Sequence, residues 1–201
     1  MGRKASALPG VETSTSPWKA LPPVAKSYYV DTRPGPLVIP PAITLAGSVA
    51  RYLGSRITHM YGSVLFDCAG GNETRRIQGL VIRGGVTGAI GIRVRANLTK
   101  LDQIAFDRWQ GSTCIDFNDE LVLNPATRRQ ETRDGPWNCH ASHITIECWN
   151  SGQPVGSGTI DCGIRCRGSW NASSITHSSI TGAKIAGIAI ESGSGSAVRV
   201  S

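Results

Sequence analysis

The sequence predicts an all-β protein wound as a parallel β-helix of about five or six turns, entered through an extended, proline-rich N-terminal arm. Three observations carry this expectation. The chain has 24 Gly and only 2 Met in 201 residues, a composition of turns and short strands. Charged residues are 17%, too few for the solvated faces of a helical bundle or coiled coil. Short apolar alternations return at spacings of 23 and 24 residues, with no helical segment between them.

Residues 1–36 are read as the arm. Pro9, Pro17, Pro22, Pro23, Pro34 and Pro36 stand among Ser, Thr and Gly, and apolar residues keep no period. Proline removes amide donors and favours extended chain, so no packed element is expected here. Trp18, Tyr28 and Tyr29 are its anchor candidates, because a large aromatic in a neighbour's pocket often dominates an interface. The arm is expected to attach the protein to an assembly, while residues 37–201 coil without it.

Within 37–201 two patterns alternate. Ile77, Leu80 and Ile82 repeat 24 residues later as Leu101, Ile104 and Phe106. A second pattern follows as Gly91-Ile92-Arg93-Val94, Cys114-Ile115-Asp116-Phe117, Gly163-Ile164-Arg165-Cys166 and Gly187-Ile188-Ala189-Ile190. Period-2 alternation makes each run a strand, and two or three strands in about 23 residues leave no room for a crossover helix. The remaining solution stacks each strand on its equivalent one turn later. Ile82, Phe106 and Ile146 should then share one inward column, and Ile92, Ile115, Ile164 and Ile188 another. Outside, Arg93, Asp116 and Arg165 should stack, as should Arg95, Asn118, Arg167 and Glu191. The Arg93–Asp116 and Arg167–Glu191 steps then juxtapose opposite charges.

Between Asn118 and Ala141 the repeat breaks, giving an insertion loop at about 119–140. Loops that leave a stack often carry contacts, so Arg128, Arg129, Asp134, Trp137 and Trp149 are the candidates for touching a glycan or a partner. Carboxylates close in sequence are Asp102 with Asp107, Asp116 with Asp119 and Glu120, and Glu131 with Asp134. Paired carboxylates are the minimum for cleaving a glycoside, but Asp102 and Asp116 sit in outward ladder positions, where a solvated strand face is the ordinary explanation.

The net charge is +7, with +9 in residues 1–100 and −2 in the rest. No Lys/Arg run exceeds a pair, so nucleic acid is not an expected partner. No apolar run approaches the roughly 18 residues of a membrane span, and no apolar leader follows Met1, so synthesis in a reducing cytoplasm without membrane insertion is expected. Cys166 takes an inward position, and Cys162, four residues away in extended chain, lies too far from it for a mutual disulfide. Cys139 and Cys148 are the candidates for exposed, late-forming disulfides. Cys139, His140, His143 and Cys148 match no zinc spacing and alternate between faces, so no metal or other cofactor is expected. His59 and His177 are read as surface or seam histidines.

The segment Leu37-Val38-Ile39-Pro40-Pro41-Ala42-Ile43-Thr44-Leu45-Ala46-Gly47 resembles the entry to right-handed β-helices of the pectate-lyase-like superfamily. Ile77-Gln78-Gly79-Leu80-Val81-Ile82-Arg83-Gly84-Gly85 resembles that superfamily's usual turn. The resemblance covers about residues 37–201 and implies a right-handed coil. Its members include polysaccharide lyases and hydrolases, and also trimeric tailspikes and other appendages of tailed bacteriophages. The Asn-Thr-Asp, Asp-Asp, Gly-His-Gly and Arg-Ile-Lys motifs of polygalacturonase-like members are absent, as is the aspartate cluster of pectate lyases. The resemblance therefore implies a structural virion protein rather than an enzyme. It would be a tailspike, fibre, collar or decoration module, homotrimeric, bound to other virion proteins and touching host polysaccharide. The other readings are a polysaccharide lyase or glycoside hydrolase, and a passive glycan-binding module.

Overall fold

Alternating side chains make strands, and the regular return of these strands makes a stack. The structure is a computed structural model and describes residues 27–48, 55–118, 120–123, 126, 128, 130–133, 136–148, 159–167, 172–191 and 198–200. The first circuit is β1 (Ser27–Asp31) and β2 (Leu37–Val38). The second is β3 (Thr44–Ala46), β4 (Ser55–Tyr61) and β5 (Val64–Cys68). Then come β6 (Arg75–Gly84) with β7 (Ile90–Val94), and β8 (Thr99–Trp109) with β9 (Thr113–Phe117). After β10 (Glu120–Leu123) and β11 (Gln130–Arg133), the circuits resume as β12 (His140–Ser142), β13 (Thr145–Glu147) and β14 (Ile160–Cys166). The last are β15 (Ser173–Thr176), β16 (Ser179–Thr181) and β17 (Ala183–Ile190), followed by β18 (Val198–Val200).

The chain is all-β, with no helix among the described residues. It alternates between a ten-stranded and a six-stranded sheet. Every described pairing is parallel except that of β10 with β11. That antiparallel hairpin is where the sequence breaks its repeat.

Register places like on like. Phe66, Ile92, Ile115, Ile164 and Ile188 follow one another through the six-stranded sheet. In the other sheet Ile57, Ile82, Phe106, Ile146 and Ile180 form a second column. Leu45, Ile77, Leu101, Ala141 and Ile175 form a third. Both expected columns are present, the one through Ile115 extended by Phe66 before Ile92 and the one through Ile82 by Ile57 and Ile180 at its two ends. Nearly all these side chains are buried in one continuous core. Burying each large aliphatic contributes about 1.5–3 kcal/mol, so the three columns are the main source of stability. The small residue before each inward Ile also has a cause. A Cβ on Gly91 would lie 2.4 Å from Phe106 Cε1, and one on Gly163 would lie 2.5 Å from Ile180 Cγ2.

The stack begins earlier than expected. Ser27–Asp31 pairs with Ser55–Tyr61, so Tyr28 and Tyr29 belong to a strand instead of a free arm. The local reason is the run Tyr28-Tyr29-Val30, whose β-branched and aromatic side chains favour a strand despite the prolines that follow. Val30 packs against the core, and Thr32 Oγ1 is 2.8 Å from His59 Nε2. His59 is itself buried, contrary to a surface assignment, and is stacked on Trp109 at 5.6 Å. Burial pushes its pKa down and keeps the ring neutral. Trp18 lies outside the described residues.

Outside the six-stranded sheet the charges are paired, but not all as expected. Arg93 does neighbour Asp116 in register, yet its guanidinium bonds Asp67 at 2.6 Å, joined there by Arg95 at 2.7 Å. Arg167 reaches Asp116 at 2.5 Å, and Glu191 is held by Arg165 at 3.2 Å instead of by Arg167. Long guanidinium arms reach diagonally, so the residue directly across is not the obligatory partner. Burial pushes the Asp67 carboxyl up, but the hydrogen bonds and charges of Arg93 and Arg95 outweigh it and hold it below the usual carboxylate range. Arg75 is fully buried, and its guanidinium donates to the carbonyls of Ile39, Ala69, Gly70 and Glu73, closing that corner.

The expectation of exposed cysteines is corrected. Cys139 and Cys148 are buried, as are the other four, and all six are free. The inward face of each strand needs small apolar side chains, and a thiol serves as one. Cys148 Sγ lies 3.9 Å from Cys114 Sγ inside the stack. Burial pushes Cys68, Cys139 and Cys166 up to about 12, which removes the reactive thiolate at neutral pH. A soluble disulfide reagent at about pH 8 is therefore expected to modify none of the six in folded protein and all six after denaturation. One rapidly titrating equivalent in the native state would contradict this burial.

Candidate functional site

Four successive circuits of the ten-stranded sheet turn one shared corner at a residue with positive φ. Gly79 (φ 66°), Gln103 (φ 52°), His143 (φ 53°) and His177 (φ 50°) occupy this corner in successive circuits. Glycine takes this conformation freely, whereas Gln and His hold it at a cost of order 1 kcal/mol each. Other corners use the same device at Leu98, Arg108, Asn138 and Ala172, so positive φ alone marks the architecture. The side chains of this corner line a groove of about 360 Å³.

Buried Leu80 and Ile104 form the floor of the groove, and Ser48, Gln103, His143, Thr145 and His177 supply its polar rim. The His143 and His177 rings are stacked, 5.2 Å between centroids and 14° from parallel. Their register follows from the strands, since Ala141 pairs with Ile175 and Ser142 with Thr176. Asp102, one circuit earlier, accepts a hydrogen bond from Ser142 Oγ at 2.8 Å on Oδ1, and His143 Nδ1 lies 3.1 Å from the same oxygen. Burial pushes the Asp102 carboxyl up, but these two hydrogen bonds, with the charges of His143 and Arg76, outweigh it and hold it low. An ionised Asp102 needs a donor, so the neutral His143 ring carries its proton on Nδ1. Nε2 then bears the lone pair. The arrangement can accept a proton, accept hydrogen bonds or ligate a metal ion. The buried thiols offer it no nucleophile.

The sequence candidates are placed differently. Trp137 is 39% exposed, with its backbone N–H donating to Asn97 Oδ1 at 3.1 Å and its carbonyl accepting from Leu98 N at 3.1 Å. It is therefore an exposed aromatic on a backbone tied to the preceding circuit. Arg128 is exposed, while Arg129, Asp134 and Trp149 lie outside the described residues. Tyr29 is 49% exposed on β1, and Tyr28 is half-buried beside it. The carboxylates Asp102 and Asp107 are each engaged, the first by Ser142 and His143, the second by Arg83. Asp116 is held by Arg167. The sequence reading missed the corner pair. Its signal is a fixed offset: Gly79, Gln103, His143 and His177 each stand two residues after an inward side chain, Ile77, Leu101, Ala141 and Ile175. A spacing of 34 residues between the two histidines, in place of 24, hid it.

Comparison with known proteins gives no match: no family model, no curated protein and no solved structure is significantly similar to this chain.

Proposed function

We propose that this chain is a right-handed parallel β-helix and a structural protein of a tailed-phage virion, of tailspike, fibre, collar or decoration type. Residues N-terminal to β1 attach it to other virion proteins, and the coil associates side by side as a homotrimer. One observation carries the reading. The chain winds between two sheets of parallel strands, and Asp67, Asp116 and Glu191 on the outside of the six-stranded sheet are spent on neighbouring arginines. Such a surface holds a framework rigid and leaves little acid–base chemistry in reserve. A second feature supports association. On β17, the outermost strand of the six-stranded sheet, Ile185 is 73% exposed and Ile190 54%. Apolar side chains on an edge strand are what a neighbouring subunit covers. Trp137, exposed beside the hairpin, is the candidate contact to a host surface glycan or to a partner.

Two measurements test this reading together. The full chain of 21.3 kDa is expected to sediment as a trimer, and mass spectrometry is expected to find it in purified phage particles of its host. Acidic and neutral polysaccharides should keep their length on incubation with it. A monomeric protein, absent from particles, that shortens a polysaccharide and loses that activity in Asp102→Asn would replace this reading with the polysaccharide-active one.

A further inference from the structure

We propose that His143 and His177 form a site for one divalent transition-metal ion of the zinc, nickel or copper(II) class, with Asp102 orienting His143 behind it. The inference is independent of the virion reading. Both imidazoles stand on the rim of the groove, on adjacent circuits, and both are exposed. Their backbones are held in register by β12 and β15, so the two side chains leave neighbouring circuits side by side.

Asp102 supplies the second part of the argument. A metal-bound histidine characteristically donates its other ring N–H to a carboxylate, which sets the tautomer and raises the basicity of the ligating nitrogen. His143 Nδ1 lies 3.1 Å from Asp102 Oδ1, and the Ser142 hydroxyl at 2.8 Å holds that carboxylate in place. Nε2 is thereby the ligating atom.

Ligand type decides the ion. Imidazole nitrogens suit zinc, nickel and copper, whereas magnesium and calcium take oxygen. Zn–N bonds of about 2.0–2.1 Å require two ligating nitrogens within roughly 4 Å of each other and both lone pairs aimed at one point, so the His177 ring must turn out of its stack on His143. Exposed rim side chains have that freedom. Among the described residues no set of three His, Cys, Asp or Glu is assembled for a metal. The remaining coordination positions therefore fall to water or to the amide oxygen of Gln103, which lines the same groove. A site with two side-chain nitrogens is open and exchangeable, with a micromolar rather than nanomolar dissociation constant.

The test is calorimetric titration of the metal-free full chain with zinc chloride at about pH 7.5, repeated with nickel and copper(II) chloride. One ion per chain is expected. His143→Gln or His177→Gln should weaken binding at least tenfold, the double variant should abolish it, and Asp102→Asn should weaken it about tenfold. His140→Gln is the control and should bind as the parent does, since both His140 nitrogens are engaged, with Ser174 and Asn138. Circular dichroism of each variant confirms that it is folded. No stoichiometric binding of any of the three ions overturns the site, as does binding that survives in the double variant. Loss in the histidine variants with none in Asp102→Asn would retain the site and overturn the orienting role of Asp102.

Discussion

Ile115→Asp is expected to leave no soluble, folded protein. Ile115 is 0% exposed and sits mid-column, with Ile92 on one side and Ile164 on the other. The substitution removes about 1.5–3 kcal/mol of apolar burial and places a carboxylate among aliphatic side chains. An unpaired buried charge costs several kcal/mol more, even after relaxation. Together these approach or exceed the roughly 5–15 kcal/mol by which a domain of this size is stable. Ile115→Val is the matched control and should cost only about 0.5–1.5 kcal/mol, because it keeps the column apolar. Soluble Ile115→Asp protein with a cooperative urea transition near the parent's would show that the column is not the core.

Trp109→Ala is expected to destabilise by about 3–5 kcal/mol, the range for emptying a large aromatic site. Among the described residues Trp109 is the largest fully buried side chain, and it joins circuits that are distant in sequence. It stacks on His59 at 5.6 Å and meets Phe106 edge-on at 5.9 Å. Gly85 is glycine for the same reason, since a Cβ there would press 3.0 Å from the indole ring. Removing the ring also opens a path for water to His59, whose Nδ1 is buried without a hydrogen-bond partner. Trp109→Phe should recover part of the loss. The check is the urea midpoint at constant slope, and a change below about 1 kcal/mol would mean the neighbours collapse into the space.

The candidate site was legible only in fragments. The corner residues carry a regular offset from the inward columns, but Gln and His give no hint of positive φ, a conformation usually left to Gly or Asn. Asp102 reads in sequence as an ordinary outward strand carboxylate, which it is. Its second role appears only when Ser142 and His143 are placed beside it across the insertion. Tyr28 and Tyr29 show the opposite failure, because surrounding prolines outweighed a strand signal only three residues long.

Alternation of side chains is a local property of extended backbone, and so is the spacing of consecutive circuits. The sequence by itself therefore determined the all-β character, the two inward columns through Ile82 and Ile115, and the hairpin's position between Asn118 and Ala141. Pairing across circuits is not local. It depends on register, on insertions of unequal length and on how far a side chain reaches. Only the tertiary structure decided that Arg167 binds Asp116, that Cys139 and Cys148 face inward, and that His143 meets His177. Each of those contacts joins residues at least 34 positions apart or rests on which face of a short strand meets the core. Neither is encoded in the neighbouring residues alone.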